Sequence, residues 1–372
     1  MPVSQLADQL NKNVYCFGAG RAFDSFMKEF SCFNLEKDIK AIVDNKANEI
    51  DYTKKVVNGS LIPVISPEQM AAEISEEDCI IITTALYEEV IMQLQKMEKI
   101  NKVVYYIYLF LRIEQYDHNR LKVKLPSNLS IFQERHIPKV IHYCWFGKKG
   151  IPDQYKKWME SWKKYCPDYE IMEWNEDNYD VHKSRYISQA YDMGKWAFVS
   201  DYARIDIINE YGGIYLDADV ELVKNIDILL KNIFFCGFES RKYVNFGLGF
   251  GAGKNNAILS EMKDYYDAML FLSQDGTLNQ TTCPVIQTEI MKRHGLICNG
   301  EFQVVEGMTV YPSRVLCGMS PHSFRIQHNL EGTYAIHHYS GSWLENKQGK
   351  NKVIFYMKKW SKNQDYYYPD DM

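Results

Sequence analysis

Short apolar runs alternate with amphipathic segments through the first third of the chain. The amphipathic segments have helical spacing, and one opens with "SPEQ" at residues 66–69, where a serine N-cap precedes a proline at the first helical position. Strands that alternate with helices favour a parallel, doubly wound sheet. We therefore predict a Rossmann-like α/β domain over residues 1–113, with buried strands at residues 13–17, 39–43, 79–83 and 103–107.

The pattern changes after this domain. Residues 114–137 are polar and irregular, which predicts a linker. A second α/β pattern begins at "VIHYCWFG", residues 140–147, and runs to about Trp343. We place the second domain at residues 138–345 and a C-terminal helical tail at residues 346–372.

Composition limits the classes of partner and compartment. The chain has 372 residues and a net charge of -5, so no basic field indicates nucleic-acid binding. Its 9 cysteines show no CxxC or metal-site spacing, which is typical of free thiols in a reducing compartment. The N-terminal segment is too polar for a signal peptide, and the longest apolar stretch, residues 103–111, is too short to cross a bilayer. We expect a cytoplasmic protein, or one held peripherally at the inner face of the membrane.

A glycine loop follows the first predicted strand. In "FGAGRAF", residues 17–23, Gly18 and Gly20 stand where a dinucleotide-binding turn needs glycine, and Asp44 ends the next strand, where a ribose-binding acid would lie. Phe23 replaces the third glycine of that motif. Two interpretations are open: the first domain binds a nucleotide or nucleotide sugar, or the loop is a tight turn in a scaffold that binds nothing.

A helix predicted over residues 191–211 carries charge on its inward face. Asp201 and Arg204 fall within its apolar arc one turn apart, whereas Asp206, Asn209 and Glu210 fall on the solvated side. Burying a charged pair is costly, so such a pair needs a partner or a ligand. We expect either a structural ion pair or a ligand-binding one.

Two aspartates follow the short apolar strand predicted at residues 214–216. The alternation of side chains along a strand points Asp217 and Asp219 to one side and Ala218 to the other. Two converging carboxylates are tolerated when a divalent cation neutralises them, and oxygen ligands without cysteine favour Mg²⁺ or Mn²⁺. The end of a parallel-type strand is also where ligands bind in α/β proteins.

Three segments together resemble the bacterial members of glycosyltransferase family 32, and more distantly the large clostridial glucosylating toxins. The segments are "IPKVIHYCWFG", "KWAFVSDYARIDIINEYGGIYLDADVELVKNID" and "HHYSGSW", within residues 136–345. The resemblance implies a GT-A fold, a nucleotide-sugar donor (a UDP-sugar is expected), a divalent metal ion and retention of anomeric configuration. It implies transfer to a growing bacterial surface polysaccharide or to a lipid-linked oligosaccharide.

The resemblance also implies roles for individual residues. It implies a catalytic set of Arg204, Asp217 and Asp219. The metal ion would be held by Asp219 and His338, with Asp217 binding directly or through water. The implied donor contacts are Trp145 on the base, Asp201 and Arg204 on ribose and sugar hydroxyls, Asn245 on the sugar, and Tyr215, Asp217, Ser340, Ser342 and Trp343 around the diphosphate. No residue is identified as a nucleophile, so front-side attack and a covalent intermediate both stay open.

The choice between two adjacent histidines depends on strand register. "TYAIHHYSGSW" predicts a strand over residues 333–339, in which His337 and His338 face opposite sides. The motif match selects His338 as the metal ligand. Because imidazole suits Mn²⁺ better than Mg²⁺, we expect Mn²⁺ to be the better activator.

Other interpretations remain open. Basic, aromatic stretches at residues 155–165 and 350–362 could contact an anionic membrane or pack as amphipathic helices on the core. An oligomer is also compatible with the sequence. Besides a polysaccharide-building enzyme, the chain could be a catalytically silent, nucleotide-sensing regulator, or a glycosyltransferase that modifies proteins.

Overall fold

A computed structural model of the chain describes residues 13–30, 37–49, 54–100, 102–341, 348–360 and 365–369. The chain divides into two compact units. The first comprises residues 1–119 and 355–363, and the second comprises residues 120–354 and 364–372. Both contain strands and helices, so the predicted mixed α/β class is confirmed.

The first unit contains a six-stranded sheet in the order β3-β4-β2-β1-β5-β6. All neighbours are parallel except the β3–β4 hairpin, so the predicted strands do form a parallel sheet. The hairpin was not predicted, although its turn is Asn58–Gly59 with positive φ at both residues, as a tight two-residue turn requires. The strands are β1 (Val14–Phe17), β2 (Ile39–Val43), β3 (Lys54–Val57), β4 (Ser60–Ile65), β5 (Cys79–Ile82) and β6 (Val104–Ile107).

The helices of the first unit are α1 (Arg21–Glu29), α2 (Pro67–Glu73), α3 (Tyr87–Gln95) and α4 (Tyr108–Lys122). The predicted cap of α2 is present: the Ser66 hydroxyl accepts from the Gln69 amide, and the Gln69 side chain accepts from the Ser66 amide. Helix α4 corrects the predicted linker, which is helical as far as Lys122. The segment looked like a loop because Glu114, Asp117 and Arg120, although polar, are buried at helical spacing.

The second unit is built on a seven-stranded mixed sheet in the order β13-β14-β11-β12-β9-β7-β8. Within this sheet, β9 lies between β7, to which it is parallel, and β12, to which it is antiparallel. The sheet consists of β7 (Val140–Cys144), β8 (Glu170–Trp174), β9 (Gly213–Tyr215), β11 (Phe234–Gly237), β12 (Phe250–Ala252), β13 (Gln303–Val305) and β14 (Met308–Tyr311). Two small antiparallel pairs accompany it: β10 (Val220–Leu222) with β16 (Ala335–His337), and β15 (Ile326–Gln327) with β17 (Tyr366–Tyr367).

The helices of the second unit are α5 (Asp153–Tyr165), α6 (Arg185–Asp192), α7 (Trp196–Tyr211), α8 (Ala257–Asp267), α9 (Cys283–Arg293) and α10 (Ser313–Leu316). The final helix, α11 (Gln348–Trp360), begins in the second unit and passes into the first at Phe355. The single helix predicted over residues 191–211 is interrupted, because Gly194 adopts a positive φ of 65° between α6 and α7. The predicted glycine stop is correct: Gly212 ends α7 with a φ of 66°.

Helix α7 is buried on almost every side, which corrects the predicted solvated face. Asp206 is buried, and its carboxylate accepts hydrogen bonds from the Tyr179 hydroxyl and the Lys183 ammonium group. The predicted solvated side was therefore wrong at this position, because partners from a preceding segment cover the acid. The amphipathic stripe of α5 also packs on the protein, with Trp162 fully buried. Among the helices described, none has the length and apolar character needed to cross a bilayer.

Candidate functional site

The candidate site lies where β9 ends. Helix α7 turns sharply into β9 through Gly212 and Gly213, whose φ angles are 66° and 114°. A side chain at Gly213 would place its Cβ 2.8 Å from the Val140 carbonyl oxygen, so only glycine allows β9 to lie this close to β7. The strand then carries Asp217 and Asp219 beyond its carboxyl end, as the sequence predicts.

A buried ion-pair network connects α7 to the first aspartate. One guanidinium nitrogen of Arg204, Nη1, lies 2.9 Å from Asp201 Oδ1, and Nη2 lies 3.0 Å from Asp217 Oδ1. Asp201 and Arg204 are both buried, which confirms their predicted inward position. The pair is therefore neither an isolated structural bridge nor a free ligand, because it fixes one oxygen of the Asp217 carboxylate.

The network sets the charge of its members. Burial alone would raise the pKa of Asp217, but Arg204 and His337 outweigh it and hold the pKa below its usual range. Burial raises the pKa of Asp201, and Arg204 only partly offsets that effect. Burial opposes the charged form of Arg204, but the Asp217 and Asp201 carboxylates keep its pKa above the usual value. Asp217 and Arg204 are consequently a charged pair in the folded protein.

The structure brings His337, and not the predicted His338, to the two aspartates. His337 Nε2 lies 3.3 Å from Asp219 Oδ1 and 3.8 Å from Asp217 Oδ2. One ligand atom from each of Asp217, Asp219 and His337 lies within 4.8 Å of the others. Burial would lower the pKa of His337, but the Asp219 and Asp217 carboxylates raise it.

His338 faces the other way, so the structure does not bring the predicted metal ligand to the two aspartates. Its Nε2 lies 2.9 Å from Glu221 Oε2, and its ring stacks on Trp158 at a centroid distance of 4.1 Å. The reason is the register of the strand pair. Strand β16 runs antiparallel to β10, places His337 opposite Val220, and ends at His337. The next strand position therefore points His338 away from the carboxylates.

The segment after β16 holds the second aspartate. The Ser340 amide and hydroxyl both donate to Asp219 Oδ2, at 2.9 and 2.7 Å, and the Tyr155 hydroxyl donates to Ser340 Oγ at 2.6 Å. Ser340 was predicted to contact a diphosphate, and here it orients Asp219. The predicted diphosphate residues Ser342 and Trp343 lie outside the described residues.

The other predicted donor residues differ in their surroundings. Tyr215 is buried beneath Arg204, whose guanidinium lies 5.0 Å from the ring centroid, so its side chain supports Arg204 in this structure, and its contact with a donor stays a prediction. Trp145 is half-buried; its indole N–H donates to the Lys149 carbonyl, and its ring meets Tyr155 edge to face. Asn245 uses its amide within the protein, donating to Glu239 and accepting from Gly247. Base stacking by Trp145 and sugar binding by Asn245 stay predictions.

Two close neighbours of the site were not among the individual site residues assigned from the sequence, although the resemblance implies that residues 282–288, which include Cys283, lie near the anomeric carbon. Gly247 packs directly against Asp217: a Cβ at this position would lie 2.4 Å from Asp217 Oδ2. Cys283, the first residue of α9, lies 3.5 Å from Arg204 Nη1 through its sulfur. Apart from a glycine-rich run, nothing in the local sequence indicates a role for Gly247, because the residue that it contacts, Asp217, is distant in sequence.

The donor set fits a divalent cation. Two carboxylates and one imidazole nitrogen are ligands that Mn²⁺ accepts readily, whereas Mg²⁺ is better matched by oxygen ligands alone. The remaining ring nitrogen of His337, Nδ1, is buried and has no hydrogen-bond partner among the described residues. Asp217, Asp219 and His337 are therefore the residues that would hold the ion.

The glycine loop belongs to the first unit, whereas this constellation belongs to the second. Gly18 has a φ of 113°, and a Cβ there would lie 3.0 Å from the Thr83 carbonyl oxygen. Asp44, predicted to bind ribose, accepts from the Ala19 and Lys46 amides, at 3.2 and 2.9 Å. These contacts explain Gly18 and Asp44 as parts of the turn itself; a Cβ at Gly20 meets nothing within 4 Å. Ligand binding at Gly18, Gly20 and Asp44 stays a prediction.

Comparison with known proteins identifies the region around α7 and β9. The family model described as "Glycosyltransferase sugar-binding region containing DXD motif" matches residues 152–235. That segment contains Asp201, Arg204, Asp217 and Asp219 but not His337.

Two curated relatives and one solved structure show the extent of the similarity. The chain is 30% identical over 155 residues to an uncharacterized glycosyltransferase of Acanthamoeba polyphaga mimivirus, which covers 39% of this chain and 60% of the relative. It is 32% identical over 125 residues to inositol phosphoceramide mannosyltransferase 3 of Schizosaccharomyces pombe, covering 31% of this chain and 34% of the relative. The match to the solved structure described as PaToxG glycosyltransferase covers 50% of this chain and 77% of that structure's chain, with 17% identity and a TM-score of 0.34.

The chain thus spans 60% of the first curated relative's length and 34% of the second's. The family-model match lies in the second unit, where the candidate site is. The matches support a transferase enzyme of the glycosyltransferase kind, with a DXD-containing sugar-binding region between residues 152 and 235.

Proposed function

We propose that the second unit is a metal-dependent, retaining glycosyltransferase of GT-A type, related to family 32, that takes its sugar from a nucleotide-sugar donor. The observation that carries the proposal is the constellation of Asp217, Asp219 and His337 at the end of β9, with Arg204 bonded to Asp217. The matched DXD region supports the same activity.

Each residue of the constellation has a definable task. Asp217, Asp219 and His337 would hold Mn²⁺, or Mg²⁺ less well, and the bound cation would supply charge stabilisation to the departing diphosphate. Arg204, pinned between Asp201 and Asp217, fixes one carboxylate oxygen and leaves the other directed toward His337. Ser340 fixes Asp219 in the same way through two hydrogen bonds. The site is therefore pre-organised before a ligand binds, which lowers the cost of ordering it.

The substrates are proposed from the chemistry of the relatives and of the site. The donor is a nucleoside diphosphate sugar, and because one relative is an inositol phosphoceramide mannosyltransferase, mannose is a sugar to test alongside glucose and galactose. The acceptor is a carbohydrate or lipid-linked oligosaccharide of a bacterial surface polysaccharide, and the protein is cytoplasmic, with peripheral membrane contact as a further proposal. The retained ligand set argues against a catalytically silent regulator, because a silent site has no need of converging carboxylates.

A donor-hydrolysis screen tests the proposal. Purified full-length protein is incubated with UDP- and GDP-sugars in Mn²⁺, in Mg²⁺ and in excess chelator. We expect hydrolysis of at least one donor, loss of it with chelator, and its return with Mn²⁺. Asp219→Asn should reduce the rate by about 100-fold, in line with the loss of one key electrostatic group. Turnover that persists at full rate in chelator would contradict metal dependence, and no turnover of any donor would contradict the assignment.

A further inference from the structure

We propose that Glu239 is a positioning residue of the donor site, which fixes the Asn245 amide and, through Gly247, the carboxylate of Asp217. The inference rests on the proposed function and extends it to a residue outside the matched DXD region. Glu239 follows β11, and Asn245 precedes β12. The two residues lie diagonally across a tight hairpin, on either side of the bridge between Phe238 and Val244.

The first step is the hydrogen bond that Glu239 accepts. Asn245 Nδ2 donates to Glu239 Oε1 at 2.9 Å. The other amide atom, Asn245 Oδ1, accepts from the Gly247 backbone N–H at 2.7 Å. Because a carboxylate only accepts and a backbone N–H only donates, the two contacts leave the Asn245 amide one orientation.

The second step leads from Asn245 to the carboxylate of Asp217. The bond from Gly247 to Asn245 places the Gly247 backbone against Asp217, so that a Cβ there would lie 2.4 Å from Asp217 Oδ2. On the other side, Arg204 holds Asp217 Oδ1 at 3.0 Å. Asp217 thus lies confined between Arg204 and the Gly247 backbone. Glu239, through Asn245, determines the position of the Gly247 backbone.

A further observation is consistent with this role. Asn245 Nδ2 also has a second hydrogen, and Glu239 takes only one. With its orientation fixed, Asn245 presents a defined donor to a bound sugar, whereas an amide free to flip would present an acceptor half of the time.

Variants of Glu239 test the inference, with Mn²⁺ alone as the first probe. Mn²⁺ affinity is measured by electron paramagnetic resonance on the full chain, and kcat and KM are measured with the donor that the wild type hydrolyses. Glu239→Ala should weaken Mn²⁺ binding by at least ~10-fold, the usual cost of losing a group that orients a metal ligand. Glu239→Gln should stay within about three-fold of the wild type, because its amide oxygen accepts the same Asn245 N–H.

The chain offers a matched control. Glu173 also accepts from an asparagine, Asn175 Nδ2, at 3.0 Å, but it lies in β8, and its side-chain hydrogen bonds go to Asn175 and Tyr143 rather than to a proposed metal ligand. Glu173→Ala should therefore leave Mn²⁺ affinity and kcat/KM unchanged. If Glu239→Ala behaves like this control, or if Glu239→Gln is as impaired as Glu239→Ala, the positioning role is wrong.

A ligand-free measurement separates this inference from the proposed function. Hydrogen exchange at the Gly247 amide should be faster in Glu239→Ala than in the wild type, because the acceptor Asn245 Oδ1 is no longer fixed. Unchanged exchange overturns the inference even if the wild type proves inactive. Conversely, a wild type that binds Mn²⁺ and turns over donor, with Glu239→Ala unaffected, would leave the proposed function standing and remove only the role of Glu239.

Discussion

Gly247→Ala is the substitution whose effect the structure defines most sharply. The new Cβ would lie 2.4 Å from Asp217 Oδ2 and 3.0 Å from Asn245 Oδ1. Ordinary contact between such atoms is about 3.5 Å, so the carboxylate has to retreat by roughly 1 Å. The opposite wall is the buried Arg204, whose bond to Asp217 Oδ1 is 3.0 Å long. The carboxylate therefore cannot move without distorting the ion pair.

The expected loss of activity follows from that displacement. Misplacing a reacting group by about 1 Å costs on the order of 100-fold in rate, equivalent to about 2.7 kcal/mol of barrier. Donor hydrolysis in Mn²⁺ at saturating substrate measures it directly. The backbone itself should tolerate alanine, because the φ of Gly247 is outside the positive range. We therefore expect a folded protein with an impaired site rather than an unfolded one.

Gly253→Ala is the matched control. Its φ is also outside the positive range, and its Cβ would meet the His136 carbonyl oxygen at 3.4 Å, a contact that a small adjustment relieves. This variant should retain the wild-type rate and melting temperature. A Gly247→Ala protein that hydrolyses donor at the wild-type rate would refute the argument that Asp217 is confined against this glycine.

Three further predictions follow from the same unit. His337→Ala should weaken Mn²⁺ binding by at least ~10-fold, whereas His338→Ala should preserve it and lower the melting temperature, because His338 bonds to Glu221 and stacks on Trp158; the reverse pattern in parallel titrations would restore the predicted register. Trp145→Ala should raise the donor KM, since base stacking is worth ~1–3 kcal/mol, and a fall in melting temperature with unchanged KM would make the residue a packing element. Acid should destabilise the fold through His142, whose pKa burial lowers to about 4, while its hydrogen bond to Gly212 opposes the shift. Because the unfolded state binds more protons over this range, the free energy of unfolding falls by about 3 kcal/mol in all as the pH drops from about 6.5 to about 4. His142→Gln should flatten this pH dependence when melting is measured as a function of pH.

Much of the fold could be predicted because its signals are local. The parallel strands of the first unit are continuous apolar runs, and the cap of α2 needs only Ser66 and Gln69. Local polarity misled where partners come from elsewhere: Asp206 is buried because Tyr179 and Lys183 bond to it, and the polar part of α4 is helical. The Asn58–Gly59 turn was a readable signal that was overlooked.

The candidate site could be predicted in composition but not in register. The position of Asp217 and Asp219 follows from strand alternation after a short apolar run, and the inward position of Asp201 and Arg204 follows from helical spacing. Which histidine joins them depends on the pairing of β10 with β16, between residues more than a hundred positions apart. The close contact between Gly247 and Asp217 likewise depends on a loop that is distant in sequence from the segment after β9. No local pattern encodes either contact.

Helix α11 has a consequence for the order in which the chain is completed during synthesis. Met357 is buried, and the Tyr356 ring contacts Tyr87 and Phe110 at centroid distances of 5.4 and 5.6 Å, all within the first unit. The ribosome makes residues 1–119 first but reaches Phe355 only after about 235 more residues, a delay of roughly 10–50 s at ~5–20 residues per second. During that interval the surface formed by Tyr87 and Phe110 lacks its contact with Tyr356. The unit that emerges first therefore completes its core only near the end of synthesis, and truncation of the chain before Phe355 leaves that core unfinished.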